Sequence, residues 1–176
     1  LDRLNAIGGN RYDFHIGAGA GGIEIKDPLE GRWATSPFAV GDVLIFSIKT
    51  KMHAISPEVC EGLMAAVELA EKDYQGLVIW SGDEPFSAGA DLQAMLPAFM
   101  AVGVSAIEDA EGFMQQTMLR LRYASVPVVS AVRGLALGGG CELAVHSARR
   151  VVHMESYVGL VEVGVGLVPG AGGLTY

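Results

Sequence analysis

Short apolar runs alternate with longer amphipathic stretches in the sequence from Val40 onward. The runs are rich in valine, isoleucine and leucine and are bounded by glycine, proline or charged residues, which is typical of buried strands. Four runs fit this description: DVLIFSIKT (42–50), GLVIWSG (76–82), VPVVSAVRG (126–134) and RRVVHM (149–154). We therefore predict four strands, the first two of them buried.

Helical patterns occupy the intervals between these runs. Ser56 followed by Pro57 predicts an N-cap and a first-turn proline for a helix that extends to Asp73. One face of this helix carries the apolar residues Val59, Leu63, Ala66 and Leu69. Two further helices are predicted from Asp91 to about Met100 and from about Ile107 to Tyr123. Strands that alternate with helices predict an α/β fold with a parallel sheet and crossover connections.

The first 38 residues are rich in glycine and show no sustained periodicity. We interpret Leu1 to Phe38 as a linker or lead-in segment, with a short strand or hairpin around GGIEIKD (21–27). GAGAGG (17–22) formally matches the dinucleotide fingerprint GxGxxG, but that fingerprint must follow a strand and open a helix. RYDFHI (11–16) is a poor strand pattern, and IEIKDPLEG (23–31) has no helical face. We therefore expect a flexible glycine loop, no NAD bound by this chain and no other cofactor.

Composition restricts the class of protein. The chain has 176 residues, 51% of them hydrophobic, which is enough for one sizeable core that we assign to residues 39–176. A formal net charge of −8 leaves no basic surface for nucleic acid, and no apolar run reaches the roughly 18 residues of a membrane span. Cys60 and Cys141 lack metal-ligand spacing, so we expect free thiols, no metal and a cytoplasmic location. Because the chain opens on Leu1 without a signal pattern, we expect it to be a piece of a longer protein.

Two glycine-containing loops follow predicted strands and precede predicted helices. In FSAGAD (86–91), Gly89 allows a sharp bend, so that the amide of Ala90 is aimed by the helix that follows. In GLALGGGCE (134–142), the glycines Gly138 to Gly140 permit positive φ angles and close approach of a substrate. Ligands collect at this edge of an α/β sheet because unpaired N–H groups point outward there. Two such amides converging on one point would stabilise a developing oxyanion.

Two glutamates accompany these loops. Glu142 follows the second loop in the first turn of an apolar helix, where we expect burial and where the helix dipole favours the charged form. Glu162, in GLVEVGVGLVPG (159–170), is a second acid in apolar, glycine-rich sequence, although alone it is equally compatible with an exposed strand position. Two partly buried glutamates without a neighbouring Lys or Arg are costly unless they share a task, such as holding one water as base and acid.

Three separated motifs resemble those of the crotonase, or enoyl-CoA hydratase/isomerase, superfamily. They are FSAGADLQAM (86–95), VRGLALGGGCELAVHSARRVV (132–152) and VEVGVGLVPGAGG (161–173), in this order and spacing. The resemblance runs from about Val40 to Tyr176 and implies a crotonase-like ββα spiral core. We expect this core to be C-terminally incomplete, because the family continues past PGAGG into helices that cover the acyl site and pack against neighbouring subunits. The resemblance also implies an acyl-CoA thioester substrate and a homo-oligomer.

The resemblance assigns a role to each matching residue. Ala90 and Gly139 would supply the oxyanion-hole amides for the thioester carbonyl. Glu142 and Glu162 would add water across the C2=C3 bond of a 2-enoyl-CoA, Glu142 activating the water and Glu162 delivering a proton to C2. The substrate-binding positions would be Ala88 in the loop that meets the adenine of CoA, Gly170 near the attacking water, and Gly89, Asp91 and Gly138 beside them.

The sequence departs from the family pattern at two places. Gln93 stands where the family often has a lysine, so the resemblance does not imply a contact from this position to the CoA phosphates. The lead-in IKTKMHAIS (48–56) has Lys49, Lys51 and His53 in place of the usual residues, and looks like the hydratase half of multifunctional 3-hydroxyacyl-CoA dehydrogenases. This implies a covalently linked or associated dehydrogenase domain and a role in fatty-acid β-oxidation.

Three other interpretations stay open. One is a Δ3,Δ2-enoyl-CoA isomerase, which needs a single carboxylate, so retention of both glutamates favours the hydratase. The others are a noncatalytic assembly fragment and a nicotinamide-binding domain built on GAGAGG. We expect His146 and His153 to be ordinary helix and strand histidines. We expect four methionines to pack the core or line an acyl pocket: Met95, Met100, Met114 and Met118.

Overall fold

The computed structural model describes residues 43–176 in full, together with the backbone of three earlier strands. The strands are β1 (Tyr12–Gly17), β2 (Ile23–Lys26), β3 (Trp33–Ser36), β4 (Val43–Ile48), β5 (Leu77–Trp80), β6 (Val128–Val132), β7 (Leu135–Leu137), β8 (Arg149–Val152) and β9 (Tyr157–Gly159). The α-helices are α1 (Pro57–Asp73), α2 (Leu92–Val102), α3 (Val104–Arg122) and α4 (Gly139–His146). Two short 3₁₀ helices span Lys51–His53 and Glu162–Val165.

The central sheet has the strand order β1-β4-β5-β6-β8. β4, β5, β6 and β8 are parallel neighbours, and β1 lies antiparallel against β4 at one edge. All six residues of β4 are buried, as expected for a strand covered on both faces. The four predicted strands and the parallel α/β arrangement are therefore confirmed.

Helix α1 begins and ends where the capping pattern predicts. The Ser56 hydroxyl accepts a hydrogen bond from the amide of Val59 at 3.4 Å, and Pro57 occupies the first turn. Three residues of the predicted apolar face are buried and Leu69 is partly buried against the same core. α1 packs against β4 and α3, so the core lies between the sheet and these two helices. This packing fixes the strand ends from which the glycine loops emerge.

Several expectations about the less regular segments need correction. RYDFHI is a strand despite its poor pattern, because residues 12–17 pair with β4 from Tyr12 opposite Ile48 to Gly17 opposite Val43. The hairpin expected around GGIEIKD is confirmed as β2 and β3. Residues 18–22 of GAGAGG, and most of the proposed linker, lie outside the described residues. The short parallel pair of β7 and β9 was not predicted from the sequence.

Apolar side chains are exposed on two parts of the described surface. α2 contains no buried residue, and its Met100 is 76% exposed, so Met100 does not pack in the core, and the alternative that it lines an acyl pocket stays a prediction. The segment after β8 also exposes large apolar residues, among them Val163 and Val168. Across the described residues, none of the helices combines the length and the apolar character needed to cross a bilayer.

Candidate active site

Main-chain pairing brings the two glycine loops side by side. The Ser87 amide donates to the Leu135 carbonyl at 3.0 Å, and the Leu137 amide donates back to the Ser87 carbonyl at 3.0 Å. On the other side of the first loop, the amide of Ile55 donates to the carbonyl of Gly89 at 2.8 Å. The FSAGAD loop is thus held as an extended segment between residue 55 and β7.

The amides of Ala90 and Gly139 lie close together as a result. A Cβ built on Gly139 would lie 3.3 Å from the Ala90 nitrogen, and a Cβ built on Gly89 would lie 3.3 Å from the Gly139 nitrogen. Among the residues that the structure describes, neither amide donates to another protein group. Gly139 is the first residue of α4, so its N–H also lies at the positive end of that helix. The pair can therefore bind an oxygen that carries negative charge.

Glycine is required where the loops touch. A Cβ on Gly140 would lie 2.6 Å from the Ser87 carbonyl oxygen, a backbone atom that cannot move alone. Gly89 has φ +98°, and a Cβ there would lie 2.8 Å from the Leu137 carbonyl oxygen. These two positions explain why each loop carries a glycine at its point of contact.

A buried hydroxyl braces the first loop. Ser87 is fully buried, and its hydroxyl donates to the His53 carbonyl at 2.7 Å and accepts from the Gly89 amide at 3.1 Å. His53 has φ +49°, and its ring lies between the Pro85 carbonyl oxygen at 2.5 Å and an Asp83 carboxylate oxygen at 3.2 Å. The sequence predicted no role for Ser87, since a serine beside glycine is ordinary loop sequence.

Glu142 is buried, with 2% of its surface exposed, as predicted. Its Oε1 accepts a hydrogen bond from the Gly173 amide at 2.9 Å. Burial raises the pKa of Glu142; the amides of Gly173 and Ala171 oppose this shift, and the charges of Glu162 and Glu111 add to it. Desolvation therefore outweighs the hydrogen bonds that favour the charged form of Glu142.

Glu162 reaches the same place from the opposite side. It is the first residue of the second 3₁₀ helix, so the alternative of a strand position is wrong. β9 pairs with β7, and the Gly138 amide donates to the Gly159 carbonyl at 2.9 Å, which brings the chain past the second glycine loop. A Cβ on Gly138 would lie 3.1 Å from Glu162 Oε1, while Oε2 is buried with no hydrogen-bond partner among the described residues.

A third acid, Glu111 on α3, was missed by the sequence analysis. Its Oε2 is buried and has no hydrogen-bond partner among the described residues, and its carboxyl group occupies the space into which a Cβ of Gly170 would project. Burial, and then the charge of Glu162, raise the pKa of Glu111. A signal was present, because Glu111 precedes buried Met114 and Met118 by three and seven residues and so shares their helix face.

These groups surround one cavity of about 240 Å³. Its lining comprises Ala88, Gly89, Ala90, Leu92, Glu111, Met114, Gly138, Gly139, Glu142, Val161, Glu162, Val165, Leu167, Val168 and Gly170. All the sequence-predicted site residues except Asp91 are in this set. Asp91 instead caps α2, its Oδ1 accepting from the Ala94 amide at 3.0 Å. The arrangement offers two hydrogen-bond donors and three carboxyl groups to whatever occupies the cavity.

The remaining singled-out residues lie around or away from this cavity. His146 is buried behind Glu142, its Nδ1 2.7 Å from the Glu142 carbonyl oxygen, and His153 is exposed just after β8. Met114 lines the cavity and Met118 lies in the core. Within residues 43–176, no group of three or more His, Cys, Asp or Glu residues could hold a metal ion, and both cysteines are free and buried.

Comparison with known proteins links this geometry to one family. The family model described as enoyl-CoA hydratase/isomerase matches residues 43–176. A Rickettsia felis protein with the provisional name fatty acid oxidation complex trifunctional enzyme is 44% identical over 131 residues, which are 74% of this chain and 18% of that protein. A Syntrophomonas wolfei crotonyl-CoA hydratase is 44% identical over 136 residues, 74% of this chain and 50% of that protein.

Solved structures agree with the sequence matches. The crystal structure of an enoyl-CoA hydratase from Thermoplasma volcanium superimposes with a TM-score of 0.67 at 29% identity, covering 76% of this chain and 53% of that one. The chain spans about half the length of the crotonyl-CoA hydratase and of the solved structure. It spans less than a fifth of the length of the Rickettsia felis protein.

Proposed function

Because the chain belongs to the enoyl-CoA hydratase/isomerase family, we propose that it adds water across the C2=C3 double bond of 2-enoyl-CoA thioesters. One observation carries the proposal. A single cavity is lined by two adjacent amides, those of Ala90 and Gly139, and by the carboxyl groups of Glu142 and Glu162. Hydration of a conjugated thioester needs both components, because it creates charge on the carbonyl oxygen, removes a proton from the water that bonds to C3 and adds a proton to C2.

The two amides would act on the thioester oxygen. When the water oxygen bonds to C3, electron density moves through C2 to the thioester carbonyl oxygen, which becomes an enolate oxygen. N–H groups that are already fixed by the loop pairing stabilise this charge without reorganisation, and loss of one such donor typically costs about 2.7–4 kcal/mol.

The two glutamates would handle the protons. Glu142 accepts a proton from the water as the water oxygen bonds to C3, and Glu162 gives a proton to C2, so that the product gains one water in total. Burial raises the pKa of Glu142, which brings it closer to the neutral range where a general base is most effective. A Δ3,Δ2-isomerase would use only one of these acids, so two carboxyl groups in one cavity favour hydration.

The test is hydration of crotonyl-CoA by the chain and by Glu142→Gln, Glu162→Gln and the double variant. Each single change keeps the side-chain shape but removes a proton acceptor or donor, so turnover should fall by about 10²–10⁴-fold. The double variant should lose much less than the product of the single losses, because the two residues act as a unit. Glu155→Gln, at an exposed acid outside the cavity, is the matched control and should hydrate normally.

Three results would contradict the proposal. Near-wild-type turnover of either single cavity variant would exclude the paired mechanism. Conversion of a 3-enoyl-CoA that survives one of the two substitutions would indicate an isomerase. Acyl-CoA binding without any turnover would indicate a noncatalytic module.

We infer a wider setting from the relatives' names. The Rickettsia felis match supports placement in fatty-acid β-oxidation. A Bacillus subtilis relative that is named as a 3-hydroxyacyl-CoA dehydrogenase and is 36% identical over 132 residues supports a linked or associated dehydrogenase. Free buried cysteines agree with a cytoplasmic location. NAD is not expected to bind this chain, because the segment after GAGAGG is strand β2 rather than the helix that the fingerprint needs. Calorimetric titration that gave micromolar affinity for NAD would contradict this.

A further inference from the structure

Glu111 and Met114 form a wall that the candidate active site shares with a second cavity. These two residues line both the 240 Å³ cavity and a neighbouring cavity of about 370 Å³ among α1, α2 and α3. The second cavity is mostly apolar, but Ser56 and Asp109 also face it. Glu111 therefore stands between the candidate catalytic space and a second cavity beside it.

The position of Glu111 relative to the reacting atoms follows from the proposed mechanism. Ala90 and Gly139 hold the thioester oxygen, and Glu142 and Glu162 face C2 and C3. Acyl carbons beyond C3 that run toward the second cavity would pass Glu111. Glu111 is then the acid that meets the acyl tail.

A plain alkyl tail would fit this junction poorly. The Oε2 atom of Glu111 is buried without a partner among the described residues, and none of the residues lining either cavity is a lysine, arginine or histidine. Burying a polar atom against hydrocarbon without a hydrogen bond is costly. A tail that carries a donor would remove this cost.

We propose that Glu111 is a specificity-determining residue that favours 2-enoyl-CoA substrates with a hydroxyl group on the acyl tail beyond C3. The hydroxyl donates a hydrogen bond to the Glu111 carboxyl group where the two cavities meet. This inference rests on the proposed hydration of 2-enoyl-CoA thioesters for the direction of the tail. A site built to bond a hydroxyl discriminates strongly against the analogue that lacks it, because its own polar group is then left unpaired.

The charge state of Glu111 does not alter this preference. Burial and the nearby charge of Glu162 raise the pKa of Glu111, and these groups with Glu142 and Asp109 are the titratable acids around the two cavities. A carboxylate accepts from a hydroxyl through either oxygen, and a protonated carboxyl group still accepts through its carbonyl oxygen.

The test measures binding and turnover separately. Calorimetry compares hexanoyl-CoA with 4-, 5- and 6-hydroxyhexanoyl-CoA, saturated thioesters that need no catalysis, and kinetics compares the matching 2-hexenoyl-CoA substrates with hydroxyl groups at C4, C5 or C6. The wild type should bind at least one hydroxylated thioester about 10- to 100-fold more tightly than hexanoyl-CoA, the range expected for a hydrogen bond to a charged partner.

Variants separate specificity from structure. Glu111→Leu should reverse the preference, binding hexanoyl-CoA more tightly and the hydroxylated thioester more weakly, whereas Glu111→Gln should retain a preference for hydroxyl. Glu108→Leu, at an exposed acid on the same helix outside both cavities, should behave like the wild type. If Glu111 had only a structural role, its substitution would change the affinity for all the thioesters in the same direction, and that result would overturn the inference.

The outcomes also separate this inference from the proposed function. Hydration of 2-hexenoyl-CoA with no preference for any hydroxyl position would overturn the role of Glu111 and leave the hydratase proposal intact. Selective binding of hydroxylated thioesters without hydration would support the role of Glu111 and overturn the hydratase proposal. Failure to bind any of the thioesters would overturn both.

Discussion

Gly140 shows how a single missing side chain holds two loops in contact. Its Cα faces the Ser87 carbonyl, and Ser87 in turn fixes Gly89 beside the Ala90 amide. The close approach is between backbones, so a methyl group at residue 140 must displace one loop from the other. The oxyanion-binding geometry therefore depends on a residue that contributes no functional group of its own.

Gly140→Ala should abolish most of the activity. Displacing the Ser87 segment moves the Ala90 amide away from the thioester oxygen, and loss of one such donor typically lowers turnover by about 10²–10³-fold. The matched control is Gly112→Ala in α3, where a Cβ would meet nothing within 4 Å. That variant should hydrate crotonyl-CoA normally and unfold at a slightly higher denaturant concentration, because alanine is favoured over glycine in a helix by roughly 0.5–1 kcal/mol.

The three acids of the cavity, Glu111, Glu142 and Glu162, are costly to bury close together. Glu142 and Glu111 both have raised pKa values because burial disfavours their charged forms, and the like charge of Glu162 adds to this for both. Such a cluster opposes stability at neutral pH and persists where proton transfer or ligand binding requires it. The Gly173 amide offsets part of the cost for Glu142.

At the scale of elements, an ion pair joins α1 to α3. Arg120 donates from Nη1 to Oε1 of Glu71 at 2.8 Å and from Nη2 to Oε2, and the Ser125 amide donates to Oε1 at 2.8 Å. The bonds from Arg120 and then from Ser125 lower the pKa of Glu71 to about 2. This pair links the helix next to β4 with the helix that carries Glu111, and so supports the cavity wall.

Glu71→Gln should weaken the acid dependence of stability. Because the folded-state pKa is lowered, the contribution of Glu71 is fully present above the unfolded value of about 4.3 and is lost as the pH falls toward 2. At pH 7 the free energy of unfolding of the variant should be lower than that of the wild type by about 1 kcal/mol, because a partly exposed ion pair contributes little more than this. Near pH 2 the two free energies should become similar. Denaturant unfolding at pH 7, 4 and 2 measures this.

The control for this experiment is Glu61→Gln, at an exposed acid on the same helix. Its free energy of unfolding should follow the wild type at every pH. If Glu71→Gln showed the same deficit at pH 2 as at pH 7, the pair would not be the source of the acid dependence.

At the scale of the whole molecule, the exposed apolar surface is the main unexplained feature. Leu96 is 55% exposed and Met100 is 76% exposed on α2, and Val163 and Val168 are exposed after β9. Large contiguous apolar patches on a protein surface mark interaction sites. Exposed apolar side chains agree with the homo-oligomer that the family resemblance implies, which stays a prediction.

We expect self-association that depends on concentration. Sedimentation velocity from about 1 to 100 μM should show the average mass rising, and Leu96→Ser with Met100→Ser should shift this rise to higher concentration by removing apolar area. Gln116→Ser, at an exposed polar residue, should leave the profile unchanged. A monomer over the whole range would contradict the assembly proposal.

The prediction of elements succeeded where the signal was local. β4, β5 and β6 were found because each strand is a dense apolar run, β8 because of the paired valines in RRVVHM, and α1 because Ser56 and Pro57 fix its start. β7 and β9 were missed because three-residue strands carry no pattern of their own and form only by pairing with each other. β1 was misjudged for the same reason, since pairing with β4 outweighs its weak strand pattern.

The sequence by itself determined the parallel α/β order, the two glycine loops and the two glutamates of the family motifs, because each is encoded in contiguous residues with their own capping, burial or turn chemistry. Only the tertiary structure decided which groups meet. It placed Glu111 in the cavity, because the packing of α3 determines which side of that helix faces inward. It also raised the pKa of Glu142, because burial depends on the residues of distant segments that surround the carboxyl group.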